Sequence, residues 1–70
     1  MNAAIISRSD RLQRVRNFLK DGRPHSTLEI IRKAHVCAVS AIVAELRVNG
    51  LNISCARKLD RWYYTYHHGS

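Results

Sequence analysis

The chain has 70 residues, 46% of them apolar and 24% charged, with twelve Lys and Arg against five Asp and Glu for a net charge of +7. That length allows one domain, with a core near the lower limit for folding without metal or disulfide support. The charge is the footprint of a protein that meets polyanions, although a solvated basic surface is the plainer account of the same excess. No apolar run approaches the roughly 18 residues that cross a bilayer, so no membrane partner is expected. The opening MNAAIIS is too short and uncharged for an export signal, and Cys37 and Cys55, the only cysteines, read as reduced thiols of a cytoplasmic protein, with a disulfide between them left open.

Residues 1–33 hold eight basic and three acidic side chains, so most of the excess lies in the first half. Residues 1–8, with Ile5 and Ile6 beside small and polar residues, fit a frayed end, a short strand or an arm that packs on a partner, and a flexible arm is expected. Ser9 or Asp10 caps a first helix running to about Lys20, with Leu12, Val15, Phe18 and Leu19 on its apolar side and Arg11, Arg14 and Lys20 projecting away. Asp21, Gly22, Arg23 and Pro24 stop it. His25 falls in an extended link, where a strand of one or two residues can pair with a later hairpin.

Ser26 and Glu29 have capping-box spacing and open a second helix near Thr27, whose buried stripe is expected at Leu28, Ile31 and Ala34. The pattern breaks at His35 to Cys37. Val39, Ile42, Val43 and Leu46 then follow the spacing of an amphipathic third helix, which ends at Gly50 with Arg47 in its last turn. Beyond it, Leu51, Ile53 and Cys55 alternate with polar or small residues as in a half-buried strand. Arg57 to Arg61 reads as a hairpin loop, and Trp62 to Tyr66 as the return strand, with Trp62, Tyr64 and Tyr66 on one face. Residues 67–70 are expected to be a flexible tail. The expected fold is α+β, with three helices followed by a two-stranded β-hairpin over residues 9–66.

The run KDGRPHSTLEI, then VAELRVNGLNI, then RWYYTY resembles the small winged helix-turn-helix domains common in phage and prophage genes. There a segment dG-x-x-x-S-t-x-e-l precedes a helix ending in I-x-E-L-R-x-x-G-x-x-I. The matching positions are Asp21, Gly22, Ser26, Thr27, Glu29 and Ile30, then Val43, Glu45, Leu46, Arg47, Gly50 and Ile53. Two places depart from the pattern: Cys37-Ala38 stands where a glycine or a capping side chain would open the third helix, and Leu59-Asp60 replaces a glycine-rich turn in the hairpin.

The resemblance implies a non-catalytic protein of the bacterial cytoplasm or nucleoid that binds double-stranded DNA and regulates transcription. Under it, Arg23, His25, Ser26 and Thr27 meet one phosphate backbone, helped by the amides of a helix N-terminus. Ala38, Ser40, Ala41, Ala44 and Arg47 face the major groove. Arg57, Lys58 and Arg61 in the hairpin reach an adjacent phosphate or the minor groove. The rest of the third helix's exposed face is small, which suits thymine methyl groups but lacks the bidentate donors that distinguish guanine or adenine. That face suits a host or phage protein equally, so a protein-interaction module on the same scaffold is the rival reading. A homodimer stays open as well, since a lone module makes few base contacts. No constellation for catalysis is present, and the histidines and cysteines lack the C-x₂-C or H-x₃-H spacing of structural zinc sites, so neither cofactor nor metal is expected.

Overall fold

A computed structural model describes residues 9–68. Its elements are α1 (Asp10–Leu19), β1 (His25–Ser26), α2 (Thr27–Ala34), α3 (Val39–Val48), β2 (Ile53–Lys58) and β3 (Arg61–Tyr66). The strands form one antiparallel sheet in the order β1-β3-β2. This is an α+β fold of three helices and a three-stranded sheet. The two-residue link at His25 and Ser26 does pair, with Tyr64 and Tyr63, so the sheet has one strand more than the expected hairpin. The expected arm, with Ile5 and Ile6, lies outside the described residues.

Each helix end has a local cause. The Ser9 hydroxyl accepts the amide of Leu12 at 3.4 Å, and the Ser26 hydroxyl accepts the amide of Glu29 at 3.1 Å, which satisfies amides that have no partner within the helix. Gly50, at φ +96°, closes α3: its amide donates to the Arg47 carbonyl at 3.0 Å while Leu51 donates to Leu46 at 3.1 Å. That bond pair defines a Schellman motif, which needs a left-handed residue. At the end of α2 the same task falls to His35, at φ +56° and ψ +52°. A side chain there meets its own backbone, at a cost of about 1 kcal/mol. His35→Gly is therefore expected to raise stability by about 0.5 kcal/mol, a rise of about 3 °C in Tm. A thermal melt showing no gain would sink that account.

The core joins all the main elements. Leu12, Val15 and Leu19 of α1 meet Ile30 and Ala34 of α2, Val39, Ile42, Val43 and Leu46 of α3, Val36 of the turn, Ile53 of β2 and Tyr64 of β3. Burying side chains of this kind stabilises a fold by about 1.5–3 kcal/mol each. The stripe of α2 differs from the expected one, because Ile30 and Ala34 are buried, Ile31 is half-buried and Leu28 is 51% exposed. The spacing of four from Ile30 to Ala34 faces α1, whereas Leu28 lies well over 90° round the helix from Ile30.

Arg14 also departs from expectation. Instead of projecting away, it donates from Nε to the Ala34 carbonyl at 2.8 Å and from Nη2 to the His35 carbonyl at 3.3 Å, while its Nη1 pairs with Asp10. One guanidinium thus caps the C-terminal end of α2 from α1. Arg11 likewise reaches Glu45 of α3 at 3.3 Å.

The hairpin turn is shorter than expected, since pairing continues to Lys58 and Arg61 and leaves Leu59 and Asp60, at φ +51° and +65°, as the turn. Two successive positive φ values match the right-handed twist of the strands. The register places Arg57 opposite Trp62 and Ile53 opposite Tyr66, and the charges of Arg57, Lys58 and Arg61 do not prevent it. The expected tail is partly docked: the His67 amide donates to Asn52 at 2.8 Å, and His68 Nε2 bonds the Lys20 carbonyl at 2.7 Å.

Candidate functional site

The first turn of α3 and the hairpin face each other across an open groove lined by Thr27, Cys37, Ala38, Val39, Ser40, Cys55, Trp62 and Tyr64. Its floor is positioned by β3. Tyr64 pairs with His25 on one side and Cys55 on the other, and residues directly opposite in an antiparallel pair share a face. The face carrying Cys55 and Tyr64 therefore also carries Arg57 and Trp62, which line up toward the tip. Burial pushes the Tyr64 phenol up, the adjacent Cys55 adds to this, and the hydrogen bond to Thr27 and the charge of Arg47 oppose it, for a net rise. The phenol thus stays a neutral O–H in the groove.

No side chain caps α3, because Ala38 stands at its N-cap. The helix dipole places partial positive charge there. No carboxylate lines this groove. Ala38 and Ser40 face it, while Ala41 borders a second cleft with Arg11, Arg14, His35 and Glu45. Ala44 and Arg47 are exposed further along α3, but Arg47 is tied back, its Nε donating to the Ile53 carbonyl at 3.0 Å.

The hairpin cations divide between two faces. Arg57, on the groove side, pairs with Asp60 at 3.1 Å. Lys58 and Arg61 are opposite each other in the register and lie on the outer face, both exposed. Two like charges directly opposite are destabilising. Neither has a carboxylate partner among the described residues.

Of the residues before α2, Arg23 is exposed and its amide donates to Asp21 at 2.9 Å. Ser26 spends its hydroxyl on the cap, and Thr27 donates to the Trp62 carbonyl at 3.4 Å. His25 has to be corrected. The expectation placed it on a phosphate backbone, but it is 7% exposed and lies inside the fold. Its Nε2 is 2.9 Å from both Asp21 oxygens, its Nδ1 is 3.1 Å from Glu29 Oε2, and its ring sits 4.4 Å from that of Phe18. The Glu29 contact is an attraction of charge, since that oxygen lies off the direction of an Nδ1–H bond. Burial lowers the affinity of the ring for its proton, and the bond to Asp21 with the charges of Asp21 and Glu29 more than reverses this, so the pKa is raised.

Sequence reasoning did not single out Trp62, Cys37 or Cys55 for the groove. The alternation that placed Trp62 and Tyr64 on one face was the available signal; nothing in the sequence places Cys37 and Cys55, both free and exposed, along the same groove. No three His, Cys, Asp or Glu side chains among the described residues are arranged so that they could hold a metal ion, and none of the described helices is long and apolar enough to cross a membrane.

The chain matches no family model, no curated protein and no solved structure. The functional reading therefore rests on the geometry and charge of this chain alone.

Proposed function

We propose that this chain binds double-stranded DNA without catalysis, as a winged helix-turn-helix module of a phage or prophage regulator. The order of three helices and a sheet is compatible with that plan. In this reading α3 enters the major groove, β2 and β3 form the wing, and the groove between them straddles one phosphate backbone. The observation that carries the reading is the allocation of charge. All five carboxylates have a basic partner within the chain: Asp10 with Arg14, Asp21 and Glu29 with His25, Glu45 with Arg11, and Asp60 with Arg57. Arg16, Lys20, Arg23, Arg32, Lys33, Arg47, Lys58 and Arg61 are left without a carboxylate partner among the described residues. A surface with cations in excess and its acids consumed attracts phosphate.

Binding to random-sequence duplex DNA across a salt series tests this. Each phosphate neutralised lowers the logarithm of affinity by about 0.9 per unit of log salt, so a slope of about −3 to −5 is expected. Undetectable binding at low salt would remove the reading. The second reading, a protein-interaction module, has one observation in its favour: α3 presents small side chains and Val48, 74% exposed, while its one long cation is tied to Ile53. Such a face docks on protein without needing phosphate, and association with its partner would survive salt that strips DNA.

A further inference from the structure

The hairpin tip carries features that the fold itself does not use. Leu59 is 88% exposed and sits at φ +51°, in a turn that glycine or asparagine would make without strain and without exposing an apolar side chain. Strained positions with no structural return are candidates for function. Behind it, Lys58 and Arg61 face each other without a carboxylate between them, because Asp60 turns to Arg57 at 3.1 Å. That pairing also neutralises the one acid at the tip. An apolar point flanked by two unpaired cations is the chemistry of a wedge that parts a base step while the cations hold the phosphates beside it.

We infer that the tip is a minor-groove wedge: Leu59 enters between two base pairs and kinks the duplex, while Lys58 and Arg61 hold the phosphates on the two strands beside it. This rests on the DNA reading above. Arg57 and Trp62 lie on the other face of the hairpin, toward α3, so the outer cations are free to follow the groove edge while the inner pair stays over the backbone. Unstacking is easiest at pyrimidine–purine steps and hardest in A-tracts. The wedge therefore also supplies sequence preference, which the small side chains of α3 are poorly suited to give.

The test uses the full chain and its Leu59→Asn variant, which suits the left-handed turn and so folds. Both are titrated onto a duplex carrying a donor and an acceptor dye at its ends, with either a central TA step or an A-tract. Wild type is expected to bend the TA duplex by an angle within about 20–90° and to prefer it over the A-tract by about tenfold. Leu59→Asn is expected to bind with the same salt slope, leave the duplex straight and lose the preference. Binding by wild type without bending, or equal bending by the variant, overturns the wedge and leaves the DNA reading intact. No binding to either duplex overturns the DNA reading itself. The same tip chemistry fits an anionic bilayer, so vesicles containing phosphatidylserine form a further arm: Leu59-dependent vesicle binding with unbent DNA assigns the tip to lipid and overturns the wedge.

Discussion

Raising the pH from about 5 to about 9 is expected to erode the stability of the wild-type chain relative to a His25→Phe variant. The cause is the position of His25, 7% exposed with one ring nitrogen 2.9 Å from Asp21 and the other 3.1 Å from Glu29. A neutral imidazole has one N–H, so only the protonated ring presents a positive edge to both carboxylates. The folded pKa is raised above the unfolded value, so the contribution is complete below the unfolded value of about 6.5 and is lost as pH rises through the folded one. Asp21 works in the opposite direction. The Arg23 amide and then His25 hold its carboxyl below the usual range, so its contribution is present above the ordinary carboxylate pKa and fades as pH falls through the lowered value. Together they place the broadest stability between mildly acid and neutral pH.

Phenylalanine keeps the contact with Phe18 and the position opposite Tyr64, and it frees Asp21 and Glu29 to hydrate. Near pH 5 the variant is expected to lose about 2 kcal/mol, or about 10 °C in Tm. Melts of both proteins across the range give the difference between them, which cancels the general effect of lowering a large positive charge. A difference that grows toward alkaline pH would sink the account.

Lys58→Glu is expected to make the protein more stable and a poorer DNA binder at once. Lys58 and Arg61 are direct cross-strand partners of like charge, and reversing one turns repulsion into attraction. The gain should be about 0.5 kcal/mol, or about 3 °C in Tm. Under the DNA reading the same change removes one cation from the phosphate surface and adds an anion to it. Affinity at about 0.15 M salt should fall by about tenfold or more, with a salt slope shallower by about one. Fluorescence anisotropy beside a thermal melt gives both numbers. A stabilised variant with unaltered DNA affinity would take the hairpin off the DNA.

Features made by neighbours in the chain were legible in the sequence. Ser9, Gly22, Ser26 and Gly50 announce helix ends because the groups they satisfy lie a few residues away. The two-residue β1 could be read because Pro24 ends the helical stretch by holding Arg23 extended, and the capping Ser26 is extended as well. Features made across the fold were not. Arg14 caps α2 from twenty residues away, and nothing near Arg14 in the chain foretells it. The stripe of α2 was misread because eight residues offer several apolar spacings, and packing against α1 selects the one through Ile30. The turn at Leu59 and Asp60 lacks the usual glycine, so its charged flanks looked like loop. For His25 a signal did exist, because Asp21 and Glu29 lie four positions before and after it; read alone, that spacing does not tell a bridged core histidine from an exposed one.

Ser26 belongs to two elements, pairing with Tyr63 as the last residue of β1 and capping α2 with its hydroxyl. The hairpin is therefore not a loose appendage swinging from the end of α3. It is braced at the start of α2, because β3 pairs with the same residue whose hydroxyl caps that helix.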